Sequence, residues 1–498
     1  MATAAGAAGA APPARILSPA AVTALVLLVA ALVIRAPFLG DPNLHLDEIF
    51  YLQVGDLMWK GALPYVDVWD RKPVGLFLLY GSIRLLGGDG IVQYQLVATA
   101  FASATAFVIA QIARRMGVSA FGACAAGIVY LAGLSASGGF GGQSPVFYNL
   151  LVAGAALLTL RALEAPDLRR LTLLGTAAML LCGLAIQIKY TALFEGCFLG
   201  LMLVWRARRM FGMAAAIKSA LLFGSCGLAP TAAALAYYAA IGELQAFWFA
   251  NFQSIGLRPA TSPVQLQGRL LQIALIQLPL LICAGAACFA MRRQKQRAGT
   301  LATFRFILAW TVAALFGFFL FGTFYKHYAL PLLLPLSLAA APIFDRRPVG
   351  LLAAGLVTIW GTLLVGFPSQ TPQASQKQIA RLTSAITENL NGGCLFLFDG
   401  PPTVDYLSGA CHLTPYLFPY HLSTAVEATG LGVDPVVELR RILDRRPSVI
   451  VSSNAPAMEP NRKTRALLNH VLERDYQMVG SYPAKDRNFQ VYARRSKG

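Results

Sequence analysis

The chain is 498 residues long, 56% hydrophobic and only 13% charged, with a mean hydropathy of +0.58. That composition excludes a soluble globule and indicates a polytopic membrane protein. The net charge of +18 is read as membrane topology and contact with anionic headgroups, and nucleic acid is not an expected partner.

In chain order, apolar runs long enough for a hydrocarbon core of about 30 Å fall near 16–39, 92–113, 117–136, 145–163, 171–188, 190–204, 214–240, 269–290, 302–321, 327–344 and 349–366. The pattern predicts an amino-terminal tail over 1–15 and then a helical membrane domain over 16–367 with roughly eleven spans. The first run is too long for a signal-peptide core and no clear small-residue cleavage site follows it, so it reads as a retained anchor. Val74–Leu86 is apolar but short, and counting it as a span would invert every later loop. It is expected as an interfacial or re-entrant helix.

With that choice, Arg114-Arg115, Arg169-Arg170, the arginines of 206–209, the basic cluster 292–297 and Arg346-Arg347 fall on one side. Basic loops stay cytoplasmic, which puts the amino terminus there too. The first loop 40–90, the loop Gly138–Ser144, the Lys189-Tyr190 turn, the stretch Ile241–Gly268, the Lys326-His327 turn and the tail then share the outward side.

From 368 to 498 hydropathy falls and the pattern changes to short strands alternating with helices, which predicts a small extracytoplasmic α/β domain. Strands are expected at Cys394–Phe398, Ser448–Val451 and Gln490–Tyr492, and a helix over Pro435–Arg446. Nothing in this segment looks catalytic by itself. Of the eight cysteines, six lie in apparent spans as small apolar fillers. Cys394 and Cys411 belong to the outward domain, where an oxidising compartment permits a bridge. The alternative is one buried strand cysteine and one unpaired loop cysteine. No spacing suggests a structural metal site.

The chemistry is densest in the first outward loop, in Asp41-Pro-Asn-Leu-His45-Leu-Asp47-Glu48 and in Val68-Trp69-Asp70-Arg71-Lys72-Pro73. Two adjacent acids and a lysine lie beyond an apolar anchor that does not need them. The bland reading of Asp47 and Glu48 is helix capping, since acids favour a helix amino terminus; that of Asp70-Arg71 is a surface ion pair. Tyr51, Tyr65 and Trp69 are expected in an interfacial aromatic belt, with Trp69 also able to stack on a sugar face.

The stretches Leu46–Tyr51 and Gly61–Pro73 resemble the first outward loop of GT-C glycosyltransferases in the protein mannosyltransferase and lipid A aminoarabinose transferase group. Gly183–Thr191, with its lysine, is similar to another turn of that group, and Tyr325–Pro331 to its His-Tyr segment; the resemblance spans roughly the first 345 residues. It implies transfer of a sugar from a polyprenyl-phosphate carrier to an acceptor on the outward face, with the tail a variable region. The implied setting is a bacterial inner membrane. The implied acceptor is an envelope glycolipid such as lipid A or lipopolysaccharide, a polysaccharide or a protein hydroxyl.

On that resemblance Asp47 is the candidate base and Glu48 its assistant or the group that orients the acceptor. Lys72 is assigned to the carrier phosphate as a compact point charge, with Asp70 and Trp69 beside it. Lys189 and Lys326 would either complete a phosphate clamp or snorkel to headgroups, and His327 would bond phosphate, sugar or backbone. Where many relatives place a second acid, Gln143 stands here; it can bond a sugar or acceptor but cannot act as a base, which weakens any metal held between two loops. A divalent metal is therefore not favoured, and no other cofactor is called for. The competing class is a lipid or solute transporter, set against it by the absence of an obvious repeat and by acids that cluster in a loop rather than inside spans. A third reading is an assembly protein whose outward domain binds a partner.

Overall fold

The computed structural model describes residues 18–293, 297–365, 370–484 and 486–495. The expected tail 1–15 and the domain boundary at 367/368 lie outside the described residues. Among the described residues eight helices are long and apolar enough to cross a membrane, and three shorter apolar helices, Val74–Arg84, Ala120–Ala136 and Val349–Leu364, accompany them. Leu173, Leu221, Val312 and Leu363 are among many large apolar side chains left exposed on these helices. Such a surface is stable only against lipid.

Local signals account for the helix ends. Ser18, Ser119 and Asp167 cap the helices that follow them by accepting from Ala21, Gly122 and Arg170 backbone N–H groups. Arg114 and Arg115 occupy the last turn of Ile91–Arg115, where cations meet the carboxyl end of the dipole. The two runs 190–204 and 214–240 form one helix, Ala192–Ala240, broken at Gly212 (φ 85°, ψ 180°). Only glycine reaches that conformation at little cost, so the chain changes direction without a loop.

The loops gather at two ends. At one, the Ser119 backbone N–H donates to Asp345 at 3.0 Å, Arg206 donates to the Ala165 carbonyl at 3.1 Å, Arg115 pairs with Glu164 and Arg347 covers Phe121. These are the loops that carry the arginine pairs. At the other end Arg35 donates to the carbonyls of Gly139 and Gly141 (2.6 and 2.5 Å), and Tyr238 donates to Pro64 (3.2 Å).

The carboxy-terminal domain carries a four-stranded sheet of order β1-β2-β4-β3, built from β1 (Leu395–Leu397), β2 (Val449–Ser453), β3 (Tyr476–Pro483) and β4 (Asn488–Arg494). β1 and β2 are parallel, with Leu395 opposite Val449; β4 runs antiparallel to β2 and β3. The expected helix is Pro435–Asp444, capped by Asp434, which accepts from Val436 and Val437. β3 lies outside the strands expected from the sequence: it is an edge strand, largely exposed beyond Tyr476, and no buried apolar run marks it. Cys394 and Cys411 are joined by a disulfide.

This domain sits directly on the first loop. Gln53 donates to Asp405 at 2.6 Å, Ser375 to Asp41 at 2.6 Å, and Thr403 to the Pro42 carbonyl at 2.7 Å.

Candidate active site

The first loop folds as a helix, Leu46–Trp59, a turn, and the short helix Val74–Arg84. His45 caps the first helix, its Nδ1 accepting from the Asp47 backbone N–H at 3.3 Å and lying 2.8 Å from Gln143 Nε2. Asp47 and Glu48 both occupy the first helical turn, which also satisfies the capping reading.

One helical step separates the two acids and sends them to different places. Asp47 lines a cavity of about 780 Å³, and 26% of its side chain is exposed there. Glu48 is 0% exposed and does not line the cavity. It lies against the backbone of Gly141 and Gly142, within electrostatic reach of Arg35, which holds that same loop by two carbonyls. Glu48, expected to orient the acceptor or assist Asp47, thus faces the loop that carries Gln143 and not the cavity.

Lys72 precedes Pro73 and the amino terminus of Val74–Arg84, a position where anions are favoured. The backbone leading to it is strained at Tyr65 (φ 72°), a non-glycine residue in the left-handed region. The Tyr65 ring packs against Phe77, Tyr238 and Phe247 and its hydroxyl donates to the Lys72 carbonyl at 2.8 Å, which holds that conformation. Gly75 permits the short helix to touch the backbone at Gln187, where a Cβ would come within 2.7 Å. Lys72 and Lys189, from separate segments, are thereby brought to one cavity.

Charge in the cavity is arranged around Asp47. Burial alone would raise its carboxyl, but His45, Lys72, His327 and Lys189 together hold it below the usual carboxylate range. Burial raises Glu48 and Asp70 despite neighbouring cations. Asp70 lies 3.9 Å from Lys72. Lys72 is held up against burial by the Asp70 and Asp47 carboxylates. Burial pushes Lys189 down to about 7, with Lys72 adding to the effect and Asp47 opposing it. Its ammonium lies 4.2 Å from the centre of the Tyr328 ring.

Gln143, Lys326 and His327 also line this cavity, with the His327 ring edge-on to His45 at 5.9 Å. Trp69 does not. Its backbone N–H donates to Pro415 at 2.9 Å and its ring packs on Tyr416 and His421, with Arg71 over it at 4.7 Å. The expectation of a sugar-stacking Trp69 is corrected, because the tail domain covers the ring. Tyr51 and Tyr65 are likewise buried, at 1% and 4% exposure, rather than forming a belt.

The cavity also takes residues that no motif marks. Arg269 is held under Thr323 and over Tyr325. The tail domain supplies Tyr420, His421, Glu427, Arg487 and Phe489 to the lining. Glu427 pairs with Arg71 at 2.5 Å and with Arg258, joining three distant segments. Among the described residues no group of three or more His, Cys, Asp or Glu comes together that could hold a metal ion.

No protein-family model and no curated protein matches the sequence. Solved structures do. ArnT from Cupriavidus metallidurans bound to undecaprenyl phosphate superposes with a TM-score of 0.62 at 15% identity, covering 95% of this chain and 97% of that one. The apo form of the same protein gives 0.63 at 14% identity, covering 95% and 98%. The Pmt1-Pmt2 protein O-mannosyltransferase complex of S. cerevisiae bound to its sugar donor matches 46% of this chain and 35% of its own, at 19% identity and a TM-score of 0.36. The chain is thus a helical membrane protein with the GT-C architecture of ArnT, carrying a small carboxy-terminal sheet domain.

Proposed function

We propose that this protein is an inverting glycosyltransferase that moves a sugar from a polyprenyl-phosphate carrier to an envelope acceptor. The acceptor is a glycolipid such as lipid A or lipopolysaccharide, a polysaccharide or a protein hydroxyl. The observation that carries this reading is the cavity in which Asp47, the most exposed of the three lining carboxylates, shares a wall with Lys72 and Lys189 beside the ends of the membrane helices. The ArnT fold, seen there with undecaprenyl phosphate, supports a lipid-borne donor.

In the proposed reaction the acceptor oxygen attacks the anomeric carbon while Asp47 takes its proton. The bond from that carbon to the phosphate oxygen breaks on the opposite face, and its electron pair leaves with the carrier phosphate. Asp47 is ionised and so able to take the proton, although the cations that hold it below the usual carboxylate range also make it a weaker base until donor phosphate engages them. Lys72 and Lys189 receive the charge that builds on phosphate, in a cavity where such contacts count for more than in water. Lys326 and His327 extend the phosphate-binding wall, Asp70 steadies Lys72, and Gln143 fixes His45 beside the base.

The basic loops gather at the end opposite the cavity, which supports an active site and tail domain on the periplasmic side of a bacterial inner membrane, with a cytoplasmic amino terminus. The Cys394–Cys411 bridge suits that oxidising compartment.

The test is mass analysis of envelope glycolipids, polysaccharides and glycoproteins from the parent, a deletion strain and the complemented deletion strain. Loss of one sugar from one acceptor class on deletion, with return on complementation, is expected. An unchanged envelope, together with movement of labelled polyprenyl lipid between leaflets by the purified protein, would instead establish a transporter.

A further inference from the structure

Arg487 reaches the cavity from the turn between β3 and β4, with 11% of its side chain exposed. Its guanidinium is anchored from behind by Asp399, at 3.1 Å. Asp399 follows β1 at the carboxyl end of the parallel pair, is almost fully buried, and also binds Arg465 at 2.9 Å and the Ser453 hydroxyl at 2.6 Å. One carboxylate thus serves two guanidiniums, and the cluster keeps a net positive charge. The Glu427 cluster repeats the arrangement with Arg71 and Arg258.

Seven lysines and arginines line the cavity against three carboxylates, and behind the wall the charge of Asp399 is matched by that of Arg465. The single charge of a sugar phosphodiester neutralises only part of that surplus. Tyr420 and Arg487 of the tail domain line the same cavity as Asp47. The cation of the tail domain therefore faces the same space as the base, whereas Lys72 and Lys189 come from the membrane domain.

We infer that Arg487, held in place by Asp399, recognises an oxyanion, phosphate or carboxylate, on the acceptor. This rests on the glycosyltransferase reading and names a property of its acceptor. The guanidinium fork suits either oxyanion, since it can donate two parallel bonds to one group. The tail domain is then an acceptor-reading module, which explains why it is bound so closely to the first loop.

The test uses the full-length protein in lipid nanodiscs and three synthetic disaccharide glycolipids, one phosphorylated, one with a uronate carboxylate and one neutral. Equilibrium binding is measured for wild type, Arg487→Gln and Arg487→Lys. Wild type should prefer at least one anionic glycolipid over the neutral one by about tenfold or more, as expected for charge-assisted bonds. Whichever anionic form binds tighter identifies the oxyanion. Arg487→Gln should collapse that ratio towards one, and Arg487→Lys should restore part of it. Equal wild-type affinity for charged and neutral forms overturns the inference, and so does an unchanged ratio in Arg487→Gln. Undecaprenyl phosphate is titrated separately: its failure to bind wild type counts against the donor reading, whatever the glycolipid ratio.

Discussion

Lys189 should give donor binding a pH limit that can be measured directly. Burial pushes its ammonium down to about 7. An anion placed against it favours the charged form, so the donor complex holds the proton more tightly than the free protein does. Affinity is then full below about pH 7 and is lost as pH rises from there towards the pKa of the complex. The loss is up to about tenfold per pH unit, or about thirtyfold by pH 8.5 if the complex stays protonated throughout.

The probe has to be the phosphodiester-linked sugar, which keeps one charge across this range. The spent phosphomonoester gains charge near pH 6 and would tilt the profile the other way. Binding of a synthetic polyprenyl-phosphate sugar in nanodiscs, measured from about pH 6 to pH 9 at fixed ionic strength, reads the effect. Lys189→Met keeps the reach of the side chain without titrating. Wild type should weaken progressively above pH 7, and Lys189→Met should bind weakly and uniformly. A flat wild-type profile would refute the reasoning, as would the same slope in Lys189→Met.

Three further outcomes are expected. Glu48→Gln removes a buried charge facing Arg35, so it should lower the unfolding temperature while reducing transfer far less than loss of the Asp47 carboxylate; a larger effect on turnover than that of Asp47→Asn would exchange their roles. Glu427→Gln leaves Arg71 and Arg258 without their carboxylate and should cost about 3 kcal/mol, seen as easier release of the tail domain in limited proteolysis; unchanged protease resistance contradicts the docking role. Replacing Cys394 and Cys411 together by serine opens a loop whose ends are 17 residues apart and should destabilise the tail domain by about 3 kcal/mol. Wild type treated with reductant should show the same shift in calorimetry, and no shift in either would deny the bridge a stabilising role.

The membrane domain is legible in the sequence because lipid forces spans to be written as long apolar runs, and even the break at Gly212 falls between two such runs. The first-loop residues are legible because they are close in sequence and have no role in anchoring. The division of labour between Asp47 and Glu48 is not, since it depends on the helical phase of Leu46–Trp59 relative to a loop more than ninety residues later that reaches it through Gly141. Trp69 looks like an exposed aromatic until the tail domain covers it. Arg487 and Glu427 carry no local signal: Arg71 meets the neighbourhood of Glu427 across a separation of 359 residues, in its bond to Gly430. Only the packed fold brings such groups to one wall.

The central claim is tested most directly by turnover of a synthetic polyprenyl-phosphate sugar by purified protein in lipid, with acceptor extracted from the envelope of the deletion strain. Wild type should transfer the sugar with inversion at the anomeric carbon. Asp47→Asn should remain folded, bind the donor and lose about 10²- to 10⁴-fold in turnover. Full turnover by Asp47→Asn would contradict the account.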